Sequence, residues 1–545
     1  MIDKNAGKLV SKDKLENIPA LISAYYMLTP DMSKKEQTVS FGTSGHRGNA
    51  YKKSFNEYHV KAISQAICDY RKENGIDGVL FLGKDTHALS IPAQLTSLEV
   101  FAANEVNVFI AKDDEYTPTP LVSFAILEYN KTNNKKGDGV VITPSHNPPS
   151  DGGYKYNPPN GGPAESDITN IIEKKANEIL KNNLLSVKSI SLEDAMRSGY
   201  IKEYDFITPY VESLKDIIDM DLLKKAKLKI GVNPLGGASI AVYKKINEIY
   251  SLDMDIIDPF VDPTFSFMHL DHDGKIRMDC SSVYAMAGLI GLKDKYDIAF
   301  ANDVDSDRHG IVTPKGGLLN PNHYLSVAIW YLFKHRHWSK GLKIGKTLVS
   351  SSMIDKVATS LNRKIYEVPV GFKWFSKGLF DGELGFGGEE SAGASFLRFD
   401  ESVWTTDKDG IILNLLSAEI IASQKRDLSD IYSDFEKSFS KAYYARIDVT
   451  ATKEQKDILK NIEPKDIKEK SLGGEKIEYI FSKASGNGAK IGGVKIVTKN
   501  SWVALRPSGT EDIYKIYAES FVSLEHLKSI QNEAKQMIKK VFKEG

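Results

Sequence analysis

The sequence predicts an α/β protein with three similar α/β domains, built on mixed or parallel sheets, and a C-terminal α+β domain. Short apolar runs typical of buried strands alternate with helical patterns through most of the chain. The segments between these runs contain helices and long crossovers, which parallel neighbouring strands require. After about residue 435 the pattern changes to that of a mixed α+β unit. A chain of 545 residues is also too long for one hydrophobic core.

The domains implied by this pattern are expected at residues 1–200, 201–318, 319–432 and 433–545. The first domain should begin with a helical extension over residues 1–40. Apolar residues recur there at helical spacing, and Pro30 ends the segment.

Each domain has its own predicted strands. Those of the first three domains are residues 78–83, 106–111, 139–143, 228–232, 296–301, 346–349, 364–369 and 384–387. The last domain has predicted strands at 444–450 and 501–506 and a closing amphipathic helix at 531–542. A helix is expected at 92–103, and segment 151–163, rich in Gly and Pro, is predicted to be a loop.

Composition excludes several classes of protein. Lys plus Arg equals Asp plus Glu, at 72 each, so no global field attracts nucleic acid or an anionic membrane. Only two cysteines occur, Cys68 and Cys280, which favours a reducing compartment over a disulfide framework. No apolar stretch reaches the ~18–20 residues that a membrane span needs, and the start lacks the apolar region of a secretory signal. We therefore expect a cytoplasmic protein without nucleic-acid or membrane partners.

The most informative stretch is Ile142-Thr143-Pro144-Ser145-His146-Asn147-Pro148. It follows the predicted strand 139–143, so Ser145 is expected at a strand end. A nucleophile in that place is held rigidly yet exposed in the crevice where parallel sheets bind ligands. The alternative is that Ser145 caps a helix.

A second motif, Asn302-Asp303-Val304-Asp305-Ser306-Asp307-Arg308, directly follows the predicted strand 296–301. Carboxylates at a spacing of two point the same way in extended backbone and repel one another unless a cation neutralises them. Oxygen ligands favour Mg²⁺, Mn²⁺ or Ca²⁺. An EF-hand would require Gly and Glu where this chain has Arg308 and Pro314. The alternative is a solvated acidic turn.

Three further motifs have weaker signals. Arg506-Pro507-Ser508-Gly509-Thr510-Glu511 combines forked donors with a loop whose amides and hydroxyls can converge on phosphate. The Gly-rich stretch 387–393, with Glu389 and Ser391, suits sugar hydroxyls. Residues 42–48 (GTSGHRG) could cradle phosphate. Each could instead be an ordinary turn or hairpin. Lys155 follows Ser145 closely enough to fold back over it, although a surface lysine is the default interpretation.

Four of these features fall one to each predicted domain: a nucleophile, a hard-metal triad, a sugar-type loop and a phosphate loop. A phosphosugar enzyme whose active site lies in the central cleft between the four domains accounts for all of them.

These motifs, in this order and separation, resemble those of the α-D-phosphohexomutase family over nearly the whole chain. The length, the N-terminal extension and the stretches ITPSHNPP (142–149) and GFGGEESAGASF (385–396) are most similar to those of the bacterial, glucose-specific phosphoglucomutases. The resemblance implies reversible interconversion of α-D-glucose 1-phosphate and D-glucose 6-phosphate. Phosphomannomutase or another phosphohexomutase is the alternative, and a metal-dependent sugar phosphatase is the alternative from a different class.

The resemblance also implies roles for individual residues. Ser145 would be phosphorylated, and one Mg²⁺ per subunit would be held by Asp303, Asp305, Asp307 and an oxygen of that phosphate. Arg47 and Lys155 would be active-site bases around the nucleophile, and His146 is a rival to Lys155 as proton carrier. Contacts to the substrate would come from Arg308, Glu389, Ser391, Lys408, Arg506, Ser508, Gly509 and Thr510. Glucose 1,6-bisphosphate would be activator and intermediate, and the enzyme would be a monomer or a homodimer.

Two departures from the family pattern limit this transfer. Val370 stands where many relatives carry a hydroxyl residue, which weakens any assignment of a sugar contact there. Lys515 stands where many have a second arginine after the phosphate loop.

Overall fold

A computed structural model describes residues 2–42, 45–509 and 512–544, which form two compact units. Unit one comprises residues 2–320, 376–382 and 391–427, and unit two comprises residues 321–375, 383–390 and 428–544. Among the described residues, no helix combines the length and the apolar character needed to cross a membrane.

The helices follow one another along the chain as α1 Ile18–Met27, α2 Glu57–Glu73, α3 Ser90–Ala103, α4 Thr119–Thr132, α5 Ser166–Lys181, α6 Leu192–Arg197, α7 Ile207–Ser213, α8 Met220–Ala226, α9 Ile240–Tyr250, α10 Ala287–Ile290, α11 Pro321–His335, α12 Met353–Ser360, α13 Lys373–Phe380, α14 Gly410–Gln424, α15 Leu428–Phe439, α16 Lys453–Lys460 and α17 Leu524–Glu544.

The strands are β1 His46–Asn49, β2 Leu80–Lys84, β3 Val108–Ala111, β4 Asp138–Ile142, β5 Asp151–Asn157, β6 Ile201–Tyr204, β7 Ile230–Asn233, β8 Met254–Ile256, β9 Ile298–Asn302, β10 His309–Thr313, β11 Gly317–Leu318, β12 Lys343–Thr347, β13 Ile365–Val368, β14 Leu384–Glu389, β15 Gly393–Phe396, β16 Tyr443–Thr450, β17 Ser471–Leu472, β18 Glu475–Lys483, β19 Lys490–Thr498, β20 Ser501–Pro507 and β21 Ile513–Ser520.

Unit one contains two mixed sheets. The first has the order β1-β5-β4-β2-β3-β6, in which β4, β2, β3 and β6 are parallel, β5 is antiparallel to β4, and β1 is antiparallel to β5. The second has the order β11-β10-β9-β7-β8, in which β9, β7 and β8 are parallel and β10 returns antiparallel to β9. Each sheet has its own apolar core. The loops that carry the two strongest motifs leave β4 and β9 at their carboxyl ends.

Unit two combines parallel and antiparallel pairing. Strand β12 runs parallel to both β13 and β14, as expected for an α/β domain. The C-terminal sheet, β16-β21-β20-β19-β18-β17, is antiparallel, and α17 packs its apolar face on it. The fold class predicted from the sequence is confirmed.

The prediction that segment 151–163 is an irregular loop was wrong for its first half, which forms strand β5. Tyr154 and Tyr156 are buried there, and the glycines allow close approach of neighbouring chain. A Cβ on Gly153 would lie 2.1 Å from the Thr143 carbonyl oxygen, and one on Gly152 would lie 2.3 Å from the Phe55 ring. These glycines therefore serve packing within a sheet and not a turn.

The N-terminal extension is only partly helical. Helix α1 begins after the cap residue Asn17 and ends before Pro30. Nearer the N terminus, residues 4–7 form turns, Leu9 forms an isolated antiparallel bridge with His269, and Gly7 and Val10 donate backbone hydrogen bonds to the segment 268–270. The last three residues of the GTSGHRG motif, 46–48, lie in the edge strand β1, and Thr43 and Ser44 lie outside the described residues.

Candidate active site

Ser145 lies just beyond β4, and its side chain faces the acidic motif. Its backbone φ is 59°, in the left-handed region, and its own N–H donates to Thr143 Oγ1 at 2.8 Å. Its Oγ donates to Asp303 Oδ2 at 2.8 Å and lies 3.2 Å from Nδ1 of His146. Ser145 is buried and caps no helix. The structure therefore presents this serine to a carboxylate of the predicted metal loop.

The three aspartates of that loop converge. The loop joins β9 to β10, and one carboxylate oxygen from each of Asp303, Asp305 and Asp307 lies within 4.8 Å of the others. Burial first, and then repulsion by Asp307 and Asp305, raises the pKa of Asp303 well above its usual value. Asp305 Oδ1 and Asp307 Oδ1 are buried without a hydrogen-bond partner among the described residues. This donor set of hard, converging oxygens fits a divalent cation.

Two lysines contact the same carboxylates. Lys155 Nζ lies 2.6 Å from Asp305 Oδ2 and 3.0 Å from Asp307 Oδ2, and Lys408 Nζ lies 2.9 Å from Asp307 Oδ2. Burial alone would lower the pKa of Lys155, but Asp305, Asp307 and Asp407 outweigh it, and the pKa is raised. Lys155 is therefore a protonated ammonium in this arrangement.

Two arginines flank the nucleophile. Arg47 on β1 donates from Nη1 to Asn147 Oδ1 at 3.1 Å, and burial and then nearby Arg308 lower its pKa. Arg308 closes the metal loop, and its Nε lies 3.9 Å from both Asp303 Oδ2 and Asp307 Oδ1. One guanidinium thus contacts the Ser145 loop and the other lies beside the metal loop.

His146 is a neutral imidazole at physiological pH. Burial first, and then the positive charge of Arg308, holds its pKa well below the usual value. Asp279 is a half-buried carboxylate close to both groups; burial raises its pKa, but the positive charge of Arg308 and two hydrogen bonds from Ser281 oppose this effect, and the pKa is lowered. His146 can therefore accept a proton, which the charged Lys155 cannot.

Several residues of this site were missed by the sequence reasoning. Thr119, at the start of α4, donates from Oγ1 to Asp305 Oδ2 at 2.5 Å. Asp85 and His87 are buried beside the Ser145 loop, and Asp279 is half-buried near His146 and Arg308. None of them belongs to a Gly-rich or multi-acidic motif, and only the folded chain brings them near. The sequence offered one local signal for these residues: Asp85 is a charged residue that closely follows an apolar predicted strand.

The predicted sugar-binding residues are distributed over the two units. In unit two, Glu389 ends β14, is buried and accepts a hydrogen bond at Oε1 from the Gly371 N–H at 3.0 Å. Val370 contributes no polar side chain beside it, as expected from the departure noted above. In unit one, Ser391 is half-buried and precedes Ala392, whose carbonyl accepts a hydrogen bond from the His309 N–H at 3.0 Å.

The predicted phosphate loop begins at the end of β20 in unit two. Arg506 donates from Nε to the Ile491 carbonyl at 3.2 Å. Ser508 is buried, whereas Gly509 is exposed and faces open space. Thr510 lies outside the described residues.

The sugar and phosphate loops of unit two lie near each other. Burial lowers the pKa of Arg506, and nearby Tyr517 and the carboxylates of Glu390 and Glu389 partly oppose this effect. Glu390 Oε2 itself accepts a hydrogen bond from Thr347 Oγ1 at 2.7 Å. The Arg506 guanidinium of the phosphate loop and the Glu389 carboxylate of the sugar loop thus lie in the same region of unit two.

Comparison with solved structures shows a shared fold. The open form of the exocytosis-sensitive phosphoprotein parafusin, a phosphoglucomutase from Paramecium, has a TM-score of 0.74 at 21% identity, covering 95% of this chain and 96% of that one. A phosphoglucomutase/phosphomannomutase family protein from Burkholderia thailandensis has a TM-score of 0.70 at 18% identity, covering 93% and 98%.

Comparison of sequences identifies the family. The models for phosphoglucomutase/phosphomannomutase domains I, II, III and the C-terminal domain match residues 38–183, 208–316, 320–439 and 454–537. A phosphoglucomutase of Komagataeibacter xylinus is 57% identical over 539 residues, which is 98% of this chain and 97% of the relative. Phosphoglucomutase-1 of Oryctolagus cuniculus is 26% identical over 446 residues, 76% of each chain. The resemblance seen in the motifs is confirmed, and the chain belongs to the phosphoglucomutase/phosphomannomutase family.

Proposed function

We propose that this protein is a phosphoglucomutase, which interconverts α-D-glucose 1-phosphate and D-glucose 6-phosphate through a phosphoserine at Ser145. The observation that carries the proposal is the 2.8 Å hydrogen bond from Ser145 Oγ to Asp303 Oδ2, in a loop whose other two carboxylates are paired with Lys155 and Lys408. The 57% identity to a whole-length phosphoglucomutase supports the choice of glucose.

Phosphoryl transfer depends mainly on positioning and charge neutralisation. Phosphorylated Ser145 would donate its group to O6 of glucose 1-phosphate and leave glucose 1,6-bisphosphate bound. The guanidinium groups of Arg47 and Arg308 would stabilise the negative charge on the transferred group. One Mg²⁺ per subunit, held by Asp303, Asp305, Asp307 and an oxygen of the Ser145 phosphate, would neutralise part of the same charge.

We assign the proton transfer to His146, and this choice rests on charge. The sugar hydroxyl must lose its proton as it attacks, and a neutral imidazole accepts a proton where an ammonium cannot. The low pKa of His146 and the raised pKa of Lys155 support this division of roles. Lys155 and Lys408 would hold negatively charged oxygens.

The second half-reaction returns phosphate to the enzyme. The bound bisphosphate would reorient within the site, transfer its 1-phosphate to Ser145 and leave as glucose 6-phosphate. Glu389, Ser391 and Lys408 would bind the sugar, and they must do so in both of its orientations. The phosphate that is not reacting would be bound by Arg506, Ser508, Gly509 and Thr510. Glucose 1,6-bisphosphate would also act as activator, because it recharges a dephosphorylated serine.

A coupled assay tests the proposal. Purified protein receives glucose 1-phosphate, Mg²⁺ and trace glucose 1,6-bisphosphate, and glucose 6-phosphate is followed, with mannose 1-phosphate in a parallel reaction. We expect turnover of the glucose ester to exceed that of the mannose ester. Faster turnover of mannose 1-phosphate would instead identify a phosphomannomutase, and stoichiometric release of inorganic phosphate would identify a sugar phosphatase.

We also propose a cytoplasmic location and a monomeric or homodimeric enzyme whose partner is the phosphorylated hexose alone. The equal numbers of acidic and basic residues and the two buried thiols support this assignment.

A further inference from the structure

Three buried residues follow β2 in a segment that no motif singled out, Asp85-Thr86-His87. Strand β2 lies beside β4, with Lys84 opposite Ile142, and the Asp85 N–H donates to the Ile142 carbonyl at 3.0 Å. The segment therefore leaves the sheet next to the chain that leads to Ser145.

The Asp85 carboxylate gathers donors from both segments. Oδ1 accepts from the His87 N–H at 2.9 Å and from Ser90 Oγ at 2.6 Å. Oδ2 accepts from Thr143 Oγ1 at 2.6 Å. The Thr143 hydroxyl in turn accepts the Ser145 N–H at 2.8 Å. One hydroxyl thus connects Asp85 to the backbone of the nucleophile.

His87 holds the other side of the same loop. Its Nδ1 lies 2.9 Å from Asp85 Oδ2, and its Nε2 lies 3.0 Å from the Asn147 carbonyl. Both partners are acceptors, so both ring nitrogens donate and the ring is an imidazolium. Burial alone would lower the pKa of His87, but Asp85 outweighs it and the pKa is raised. Thr143 and Asn147, two residues to either side of Ser145, are therefore tied to one ion pair.

Thr86 extends the network toward the metal loop. Its Oγ1 donates to the Gly236 carbonyl at 2.8 Å, in the turn that follows β7. Two residues later, the Ala238 N–H donates to the Val304 carbonyl at 2.8 Å. A Cβ on Gly237 would lie 2.5 Å from the same carbonyl, so the turn packs directly on the loop between Asp303 and Asp305.

We infer that Asp85, Thr86 and His87 are positioning residues that hold the Ser145 loop and the metal loop in register for phosphoryl transfer. The inference rests on the proposed function. Asp85 and His87 neutralise each other, so the segment contributes placement and not charge to the reaction. A non-glycine residue at positive φ, as Ser145 is, requires such support from its surroundings.

Substitutions at Thr143 test this inference with little loss of volume. We expect Thr143→Val, which lacks the hydroxyl, to lower kcat roughly 10- to 100-fold, as expected for a misplaced reacting atom, while KM for glucose 1-phosphate changes less than about threefold. Thr143→Ser keeps the hydroxyl and should restore kcat to near the wild-type value. His87→Gln, which removes the charge and one donor, should resemble Thr143→Val.

The matched control is Thr96→Val, because the Thr96 hydroxyl is also buried in this domain but bonds Tyr25. This variant should leave kcat unchanged.

Hydrogen exchange provides a readout that does not depend on turnover. Amides in the region 139–150 should exchange faster in Thr143→Val and His87→Gln than in wild type, Thr143→Ser or Thr96→Val. Wild-type kcat and exchange in both variants would overturn the inference, and so would an equal fall of kcat in Thr96→Val. A wild-type protein that fails to interconvert glucose phosphates, but whose variants still lose protection, would refute the proposed function and leave the positioning role standing.

Discussion

Ser145 combines a left-handed backbone, a buried hydroxyl and a carboxylate partner. A residue with a Cβ pays roughly 1–3 kcal/mol for a sparsely populated backbone conformation, so it persists only where its surroundings hold it. Here the hydrogen bond from its own N–H to Thr143 fixes the backbone, and that to Asp303 fixes the side chain. The protein alone therefore fixes the orientation of the Ser145 side chain, toward Asp303.

Replacement of Ser145 by Ala should abolish mutase turnover and leave the protein without covalent phosphate, because the variant lacks the hydroxyl that is proposed to carry the phosphoryl group. Turnover is measured in the coupled assay, and phosphate by mass spectrometry of the intact protein. The matched control is Ser266→Ala, since Ser266 Oγ also donates to a carboxylate, Asp262 Oδ2 at 2.6 Å, far from the motif residues in sequence. A fully active Ser145→Ala protein would refute the phosphoserine mechanism.

Replacement of Arg506 by Ala should mainly weaken binding of the phosphorylated sugar. Hydrogen bonds to a charged group contribute about 1.5–3 kcal/mol, which corresponds to a rise in KM of roughly 10- to 150-fold. Initial-rate kinetics with glucose 1-phosphate measure it. Arg363→Ala, which removes a guanidinium that bonds backbone carbonyls elsewhere in unit two, should leave KM unchanged. An unchanged KM in Arg506→Ala would contradict the assignment of the phosphate loop.

At the scale of single residues, sequence reasoning worked where chemistry repeats locally. The spacing of Asp303, Asp305 and Asp307 predicts a cation site because three carboxylates cannot stay close without one. Sequence reasoning missed Thr119 and Asp85 because each forms its hydrogen bond with a residue far along the chain. Thr119 is separated from Asp305 by 186 residues, and Asp85 from Thr143 by 58. No periodicity records such contacts.

At the scale of elements, predicted strands agree with the structure where apolar runs are continuous. The run before Ser145 forms β4, and the run before Asp303 forms β9. Strand β5 was missed because two glycines and nearby prolines are typical of a loop. Its glycines are required by contacts with Phe55 and Thr143, which only the folded sheet supplies. Composition could not distinguish close packing from a turn.

Helix α2 and strand β1 contribute two buried histidines that should make stability depend on pH. The rings of His59 and His46 lie 5.6 Å apart, and burial lowers their pKa values to about 3 and about 4. Both values lie below that of the unfolded chain, ~6.5. Each histidine is therefore neutral in both states above that pH. Below it the unfolded chain binds the proton first, so acidification favours unfolding.

The variant His59→Gln removes one of these titrations. Between pH 7.5 and 5.5 wild type should lose about 1.4 kcal/mol of unfolding free energy through His59, a loss that the variant does not share. The deficit of the variant relative to wild type should shrink by that amount on acidification, as measured by urea unfolding at both pH values. His46→Gln should behave alike. A deficit independent of pH would contradict this account.

At the scale of the whole molecule, sequence analysis predicted the fold class but not how the N-terminal extension is used. Val10 packs in the core of the second sheet and Leu21 and Tyr25 in that of the first. Residues near the N terminus also pair with the segment 268–270. The helical spacing around α1 was visible in sequence. This pairing was not, because a short segment without alternation carries no period to detect.

Removal of the metal should abolish catalytic turnover without unfolding the protein. A chelator should reduce turnover to background, and added Mg²⁺ should restore it, because the buried carboxylates of the triad require a cation beside the transferred phosphate. Asp305→Asn should weaken Mg²⁺ binding by at least about tenfold in calorimetry. Asp255→Asn is the control, since Asp255 Oδ2 is already paired with Lys295 Nζ at 3.0 Å, and it should bind Mg²⁺ as wild type does. Full turnover in the presence of chelator would contradict the proposed metal requirement.

The hydrogen bond from Ser145 to Asp303 also bears on how the protein is made. The two residues are 158 positions apart, so a ribosome exposes the serine well before it has synthesised its carboxylate partner. Until that second segment emerges and folds, the serine lacks the groups that would let it take or give a phosphoryl group. We therefore expect products of interrupted translation that end before residue 303, which lack the whole metal loop, to be inert toward sugar phosphates.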